Sequence, residues 1–216
     1  MPRRPDLSED RKSEILDAAL EVFSEIGLGD ASVDDVVKRS GLSKGTLYWY
    51  FKSKDRLIGA LMRRFFAQEL EKVRLLQQGP GTVRERLLRY GREVETVVKR
   101  MPRALTLEFY AVAVRQKSIR KFMGELYARY CAELAAVIRE GVEAREFGEV
   151  DADQVAAGIT GLCEGLILLW ALAPDVFPFE KFFEASLRTM LDGMKPQKAS
   201  REREERSEAK NQKKRG

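Results

Sequence analysis

The chain has 216 residues, of which 44% are hydrophobic and 34% charged, so it can form one large domain or two small ones around a sizeable core. It contains no histidine, which removes the usual catalytic base and the commonest zinc ligand, and we expect neither an enzyme nor a bound metal or cofactor. The formal net charge is +5, but nine basic and four acidic residues fall in the tail from residue 195 onward, so the rest of the chain is neutral.

The first residues, MPRRPDLSEDRK, contain no apolar stretch of the kind that directs secretion, and we expect a cytoplasmic protein. Two cysteines, Cys131 and Cys163, lie in apolar helical contexts without CxxC spacing, which favours reduced, buried thiols.

A first helix is predicted by apolar residues that recur at helical spacing between Ser8 and Gly27. Ser32, with Asp35 three residues later, forms an approximate capping box that opens a short second helix. Gly41 stands where a left-handed glycine commonly ends a helix. The chain therefore begins with two helices and a tight turn.

A third helix of unusual composition follows this turn. Ser43 can cap it, and its first residues, Lys44, Gly45 and Thr46, are basic or small, so the positive end of the helix can approach a phosphate closely. The aromatic run Tyr48–Tyr50 cannot be core throughout, because successive helical residues point about 100° apart. A phenol hydroxyl is a good phosphate donor.

Basic residues concentrate around the third helix. Between Lys38 and Arg56 there are six basic residues and one acid. A fourth helix begins at Lys54 and is predicted to run to about Gln78. A short basic block in an otherwise neutral body indicates one face for an anionic partner.

The stretch Ser32–Leu57, SVDDVVKRSGLSKGTLYWYFKSKDRL, resembles the DNA-binding domain of the TetR family of bacterial repressors. The likeness covers about Ser8–Leu61, and beyond Leu61 it rests on length and helix order. The resemblance implies an all-α fold with an N-terminal helix-turn-helix domain over residues 1–53 and a helical ligand-binding and dimerisation domain over residues 54–194. We expect the charged tail, residues 195–216, to be disordered, since it lacks apolar residues.

The resemblance also implies binding to double-stranded DNA as a homodimer. Carried over position by position, the implied DNA contacts are Ser32, Ser43, Lys44, Gly45, Thr46, Tyr48, Trp49, Tyr50 and Lys54. Trp49 stands where family members often have histidine or another aromatic, so its role stays open. Arg3 and Arg4 could form an arm in the minor groove. The expected core positions of this region are Val36, Val37, Leu47 and Phe51.

Five further helices are predicted after a Gly-Pro-Gly break, over about 82–99, 102–116, 119–146, 151–173 and 179–192. The segment Val155–Ala173 is apolar and long enough to span a bilayer, but Glu164 at its centre favours a helix buried in protein. Glycines spaced to let another helix approach, together with two residues of the last helix, are expected at the dimer interface: Gly158, Gly161, Gly165, Phe182 and Leu187.

A ligand cavity is expected among the C-terminal helices, although each candidate could equally be ordinary core. The candidate ligand contacts are Leu105, Glu108, Phe109, Ala113, Phe122, Leu126, Tyr130, Leu162, Leu166 and Trp170. Glu108 and Glu164 lie within apolar helices, and a buried carboxylate needs a partner. That partner is either an arginine, such as Arg103 or Arg115, or a cationic group of the ligand.

Three functions are compatible with these features. The first is a repressor that a small hydrophobic inducer, such as a fatty acyl, aromatic or drug-like compound, releases from a palindromic operator. The second is a DNA-bound architectural or protein-interaction factor with no inducer. The third, a membrane-associated protein, rests only on the apolar segment that contains Glu164.

Overall fold

The computed structural model describes residues 7–100 and 102–196, and all regular elements within these ranges are helical, as predicted. Arg3, Arg4 and most of the charged tail, residues 197–216, lie outside the described residues. The α-helices are α1 (Leu7–Asp30), α2 (Val33–Ser40), α3 (Lys44–Tyr50), α4 (Lys54–Leu75), α5 (Val83–Arg100), α6 (Arg103–Arg115), α7 (Lys117–Glu143), α8 (Ala152–Leu172) and α9 (Phe179–Gly193).

Three helix ends differ from the predictions by three residues, and the remaining ends differ by two residues or fewer. Helix α1 continues to Asp30, but Gly27 interrupts it with φ 81° and ψ 163°, which is a kink rather than an end. Helix α4 stops at Leu75, and its last three predicted residues form a 3₁₀ turn. Helix α7 ends at Glu143, three residues early, since Arg145 adopts a left-handed φ of 57°.

Helices α1, α2 and α3 form a compact N-terminal head. The predicted capping box is present, because the Ser32 hydroxyl accepts the Asp35 N–H at 3.2 Å and Asp35 accepts the Ser32 N–H at 2.9 Å. Gly41 ends α2 in the left-handed region, with φ 67°. Arg39 donates to Glu21 at 3.0 Å and to Glu25 at 2.9 Å, which ties α2 to α1. Both ends of α2 are therefore defined by local caps, and the helix is tied to α1.

The apolar core of the head continues into later helices. Buried residues of α1 and α3, such as Phe23 and Leu47, share one cluster with Leu61 of α4. The same cluster includes Leu105 of α6 and Ile119 of α7. Because protein interiors are close-packed, a shift of α4 or α6 must be accommodated by the head.

A second core lies among α5, α7, α8 and α9. The buried Arg86 of α5 anchors this core to the 3₁₀ turn after α4 by donating to the carbonyls of Leu76 at 2.7 Å and Gln77 at 3.1 Å. Arg86 also pairs with Glu140 of α7. Glu146, just after α7, accepts the Val83 N–H at 3.0 Å and so satisfies a free donor at the start of α5. Helix α8, which is long and apolar enough to cross a membrane, packs against α6, α7 and α9.

The kink in α1 yields a prediction at Gly27. Its φ and ψ fall in a region that essentially only glycine adopts, and a Cβ there would come within 2.9 Å of the Glu108 carboxylate. Gly27→Ala should therefore lower the free energy of unfolding by about 1–3 kcal/mol in urea titrations. Gly29→Ala, two residues away in open space, is the control and should be neutral or slightly stabilising. If the two substitutions change the free energy of unfolding equally, the backbone conformation at Gly27 does not require glycine.

Candidate functional site

The third helix is anchored by one face and presents the other to solvent. Leu47 is completely buried and Phe51 is nearly so, and both belong to the core of the head. The Ser43 hydroxyl accepts the Thr46 N–H at 3.0 Å and caps the helix as predicted. Gly45 is exposed, and a Cβ there would meet nothing closer than 3.7 Å, so the start of the helix is accessible.

The aromatic run divides between surface and core. Trp49 is 66% exposed and Tyr48 is 38% exposed, whereas Tyr50 is half-buried against the head. The rings of Trp49 and Tyr50 meet edge to face, with centroids 4.6 Å apart. Two of the three aromatic side chains are thus free to contact a partner, as the helical geometry required.

The two lysines expected to contact DNA have partners within the protein. The Lys44 ammonium lies 2.7 Å from the Asp34 carboxylate, and the hydrogen bond between them raises the pKa of Lys44. Both groups are exposed, so a competing anion can open the pair readily. Lys54 donates to the Gly29 carbonyl at 3.0 Å, which joins the start of α4 to the end of α1. Ser32, which is exposed, is engaged in the capping box.

Two adjoining cavities lie among five C-terminal helices, and the space in and around them, including open solvent, is about 520 and 600 Å³. Each helix contributes a stripe of side chains at helical spacing. The linings are Met62, Phe65, Phe66 and Glu69 of α4; Tyr90, Val94, Val97 and Val98 of α5; Thr106, Phe109, Tyr110 and Ala113 of α6; Met123, Leu126, Tyr127 and Tyr130 of α7; and Thr160, Cys163, Glu164 and Ile167 of α8.

Four of the candidate ligand contacts line these cavities: Phe109, Ala113, Leu126 and Tyr130. The other candidates do not line these cavities, because they occupy different stripes of the same helices. On α8, Leu162, Leu166 and Trp170 pack against the second core instead of lining a cavity. On α6, Leu105 is buried in the head core, and on α7, Phe122 packs against Arg63, 5.9 Å from its ring centre.

Glu108 and Glu164 are half-buried, and within the part of the chain that the structure describes neither pairs with an arginine, which was one of the two kinds of partner expected. Glu108 accepts the backbone N–H of Leu28, immediately after the kink in α1, and lines neither cavity. The Tyr110 hydroxyl donates to Glu164, which faces both cavities, and the nearby Tyr127 hydroxyl also favours the charged form of this carboxylate. Burial raises the pKa of Glu164 above its ordinary value of 4.5, and these tyrosine hydroxyls oppose the rise.

Both cysteines are free thiols, and Cys163 lines one of the cavities. Cys163 is buried, which raises the pKa of its thiol, whereas Cys131 is half-buried. The hydroxyls of Tyr90 and Tyr130 hydrogen-bond to each other, and burial raises the pKa of both.

The structure corrects one residue expected at a dimer interface and leaves others accessible. Leu187 is only 1% exposed, because α9 approaches α5 at Gly91, where a Cβ would come within 3.1 Å of the Leu187 side chain. It belongs to the core of a single chain. Gly161 is exposed, and a Cβ at Gly161 or Gly165 would meet nothing within 4 Å. The remaining two, Gly158 and Phe182, are not buried, although a Cβ at Gly158 would touch Met190 of α9.

Comparison with known proteins assigns this architecture. Residues 15–61 match the family model of bacterial regulatory proteins of the TetR family, and residues 83–196 match that of the C-terminal domain of BetI-type transcriptional repressors. The chain belongs to the TetR family of transcriptional regulators. It is a DNA-binding regulator of the repressor type and not an enzyme.

Individual relatives agree with this assignment. The HTH-type transcriptional regulator BetI of Escherichia coli K12 is 28% identical over 167 residues, which cover 76% of this chain and 83% of BetI. A putative transcriptional regulator from Pseudomonas aeruginosa PAO1 shares the fold with a TM-score of 0.69 and 24% identity, over 86% of this chain and 90% of that one. A TetR transcription regulator from Haloarcula marismortui shares the fold with a TM-score of 0.73 and 18% identity, over 86% of this chain and 98% of that one.

Sequence reasoning missed most of the cavity lining, including the whole contribution of α4 and α5. The missed residues do follow the period of the helix, as Met62, Phe65, Phe66 and Glu69 show. Periodicity identifies such stripes, but it does not say which stripe faces a core and which a cavity. The Asp34 partner of Lys44 was also missed, because the two residues lie on different helices.

The environment of Glu164 makes stability depend on pH. Because its pKa is raised in the folded protein, the folded state holds a proton that the unfolded state releases between the ordinary value of 4.5 and the raised pKa. Wild type should therefore gain stability, relative to Glu164→Gln, as the pH falls from neutral towards 4.5. Urea titrations of both proteins at matched pH measure this difference.

The control is Glu125→Gln, which removes an exposed carboxylate from α7. A stability difference between wild type and Glu164→Gln that stays constant over this pH range would show that burial does not disfavour the charged form of Glu164.

Proposed function

We propose that the protein is a cytoplasmic repressor that binds a palindromic operator as a homodimer and is released by a small hydrophobic molecule. In this proposal residues 1–53 bind DNA and residues 54–194 bind the ligand and dimerise. Membership of the family supports DNA binding, and the arrangement of cavity and head supports control by a ligand.

The DNA contacts follow from the exposed face of α3. Tyr48 and Trp49 project from the head, and the accessible helix start carries Lys44, Gly45 and Thr46. Small residues at a helix N-terminus let its free N–H groups approach phosphate oxygens. Lys44 must leave Asp34 to reach a base or a phosphate, which costs little at an exposed pair. Ser43, Tyr50, Lys54 and the capped Ser32 complete the proposed surface.

A second copy of the chain is supported by an apolar surface on α8. Leu172 is 64% exposed, Leu168 is 41% exposed, and Gly161 offers open space for a neighbouring helix. A contiguous apolar surface of this kind commonly marks an interface. In a twofold dimer the two α3 helices would enter successive major grooves about 34–36 Å apart. Gly158, Gly165 and Phe182 are included in this interface.

One observation carries the proposal of ligand control: α4 and α6 each line the cavities and also pack against the head. Phe65 and Phe66 of α4 face the cavities, while Leu57 and Leu61 of the same helix lie in the head core. On α6, Phe109 both lines a cavity and belongs to the head core. A ligand that binds better to a shifted arrangement of these helices would change the spacing of the two heads. An architectural factor would have no need of this arrangement.

The proposal is tested by selecting binding sites from random duplexes and measuring affinity by fluorescence anisotropy at fixed salt. A palindromic site with half-sites about one helical turn apart is expected, and a single half-site should bind far more weakly. A selected site without twofold symmetry, bound by one copy of the chain, would contradict the dimeric repressor.

Substitutions on α3 should affect DNA binding in distinguishable ways. Tyr48→Ala should weaken affinity several-fold for all duplexes without changing the melting temperature, because a phosphate contact carries no sequence information. Lys44→Ala should weaken affinity about tenfold or more and relax the preference at one base pair if the ammonium contacts a base. Lys121→Ala, an exposed lysine on α7, is the control. Unchanged affinity of Tyr48→Ala at matched salt would remove Tyr48 from the surface.

Glu108 should couple α6 to the head. Its carboxylate accepts the Leu28 N–H, and a hydrogen bond to a charged group is worth about 1.5–3 kcal/mol. Glu108→Ala should therefore accelerate hydrogen exchange at the Leu28 amide by at least about tenfold and reduce the loss of DNA affinity that an inducer causes. Glu125→Ala, which removes an exposed carboxylate from α7, should change neither quantity. If an inducer lowers the DNA affinity of Glu108→Ala as much as that of wild type, α6 is coupled to the head through the apolar core alone.

A further inference from the structure

Asp34 places an acidic side chain beside the start of α3, on the surface that we propose to face DNA. It is the second residue of α2, and its side chain is 56% exposed. The Lys44 ammonium lies 2.7 Å from one oxygen of this carboxylate and 2.9 Å from the other. The pair bridges α2 and α3, so the charge of Lys44 is neutralised before any DNA is bound.

The stability of the head does not account for this pair. Other acids of the head have structural roles, since Asp35 caps α2, and Glu21 and Glu25 tie α2 to α1 through Arg39. Within the part of the chain that the structure describes, Lys44 is the only side chain that pairs with Asp34. Because both groups are exposed, the pair adds little to stability. An acid in the first turn of a helix is favourable without any lysine beside it.

The pair weakens binding to DNA of arbitrary sequence. Such binding depends almost entirely on lysines and arginines that neutralise phosphates. Lys44 neutralises no phosphate while it stays with Asp34. If Lys44 leaves, which costs little, the Asp34 carboxylate remains unpaired beside the phosphates and repels them. In either case, Lys44 contributes less to this binding than an unpaired lysine would.

An operator can satisfy both groups at once. In the major groove, guanine presents two acceptors that suit a lysine, and cytosine presents an amino group that suits a carboxylate. Where the bases match, Lys44 and Asp34 each exchange one partner for another. Where the bases do not match, at least one of the two groups loses its partner without gaining a new one.

We propose that Asp34 is a specificity-determining residue, which lowers affinity for non-operator DNA by holding Lys44 and is compensated by the bases of the operator. The inference rests on the proposed function in taking Lys44 as part of the DNA-binding surface. It assigns to Asp34 an effect opposite in sign to that of a phosphate contact, whose removal weakens binding to every duplex.

The test compares the operator obtained by selection with a scrambled duplex of the same length and composition. Affinities of the full chain are measured by fluorescence anisotropy over a range of salt concentrations. Asp34→Asn should raise affinity for the scrambled duplex at least about threefold, since a lysine is freed in each head of the dimer. Affinity for the operator should not rise, so the ratio of the two affinities should fall. For the scrambled duplex, the slope of log affinity against log salt concentration should steepen by up to about 0.9 for each freed lysine.

Three further variants locate the effect. Asp17→Asn removes the same charge from the head and breaks an equally short pair, with Arg64 of α4, and should leave the ratio within about twofold of wild type. Asp34→Glu keeps the charge and should also keep the ratio within about twofold. In a Lys44→Ala background, Asp34→Asn should no longer steepen the salt slope, because there is no lysine to free. Circular dichroism and melting curves establish that each variant is folded.

An unchanged ratio in Asp34→Asn, an equal fall of the ratio in Asp17→Asn, or weaker binding of Asp34→Asn to both duplexes would each overturn the inference. These results leave the proposed repressor standing as long as wild type prefers the operator. Equal binding of wild type to the two duplexes would contradict the proposed function and the inference with it.

Discussion

The apolar contact of α4 and α6 with the N-terminal head is the constraint on which the remaining structure depends. Leu61 and Leu105 lie in one core with Phe23 and Leu47, so the helix that presents Tyr48 to solvent is held by residues of α4 and α6. A close-packed interior cannot absorb a displacement gradually, and it moves between discrete arrangements. The position of the head is therefore coupled to that of the helices that line the cavities.

Two polar features interrupt this apolar core. Both lie where a shift of the cavity-lining helices would reach the head. Gly27 breaks α1 in a conformation available only to glycine, and Glu108 of α6 binds the amide exposed just after it. Glu164 lies half-buried at the other end of the same arrangement, where its burial disfavours the charged form. Neither the Gly27 kink with Glu108 nor the carboxylate of Glu164 stabilises the fold by burying apolar surface. Local conflicts of this kind are expected at functional sites.

Helix α8 serves two surfaces at once, which explains its composition. One stripe, from Thr160 to Ile167, faces the cavities, and another, with Leu168 and Leu172, remains exposed on the single chain. A helix that is apolar on nearly every side has the composition of a membrane span. Here the same composition results from packing against α7 and α9, from lining a cavity and from an outward face that we assign to a second copy of the chain.

The sequence by itself determined the number, order and approximate limits of the helices, because helical periodicity, the serine caps and Gly41 are local signals. It also predicted the exposed aromatic residues of α3, since three consecutive helical positions cannot share one face. Only the tertiary structure decided which stripe of each C-terminal helix faces the cavities, that Glu108 binds a backbone amide of α1, and that Leu187 is core. These depend on how helices far apart in sequence approach one another, and periodicity along a single helix carries no information about its neighbours.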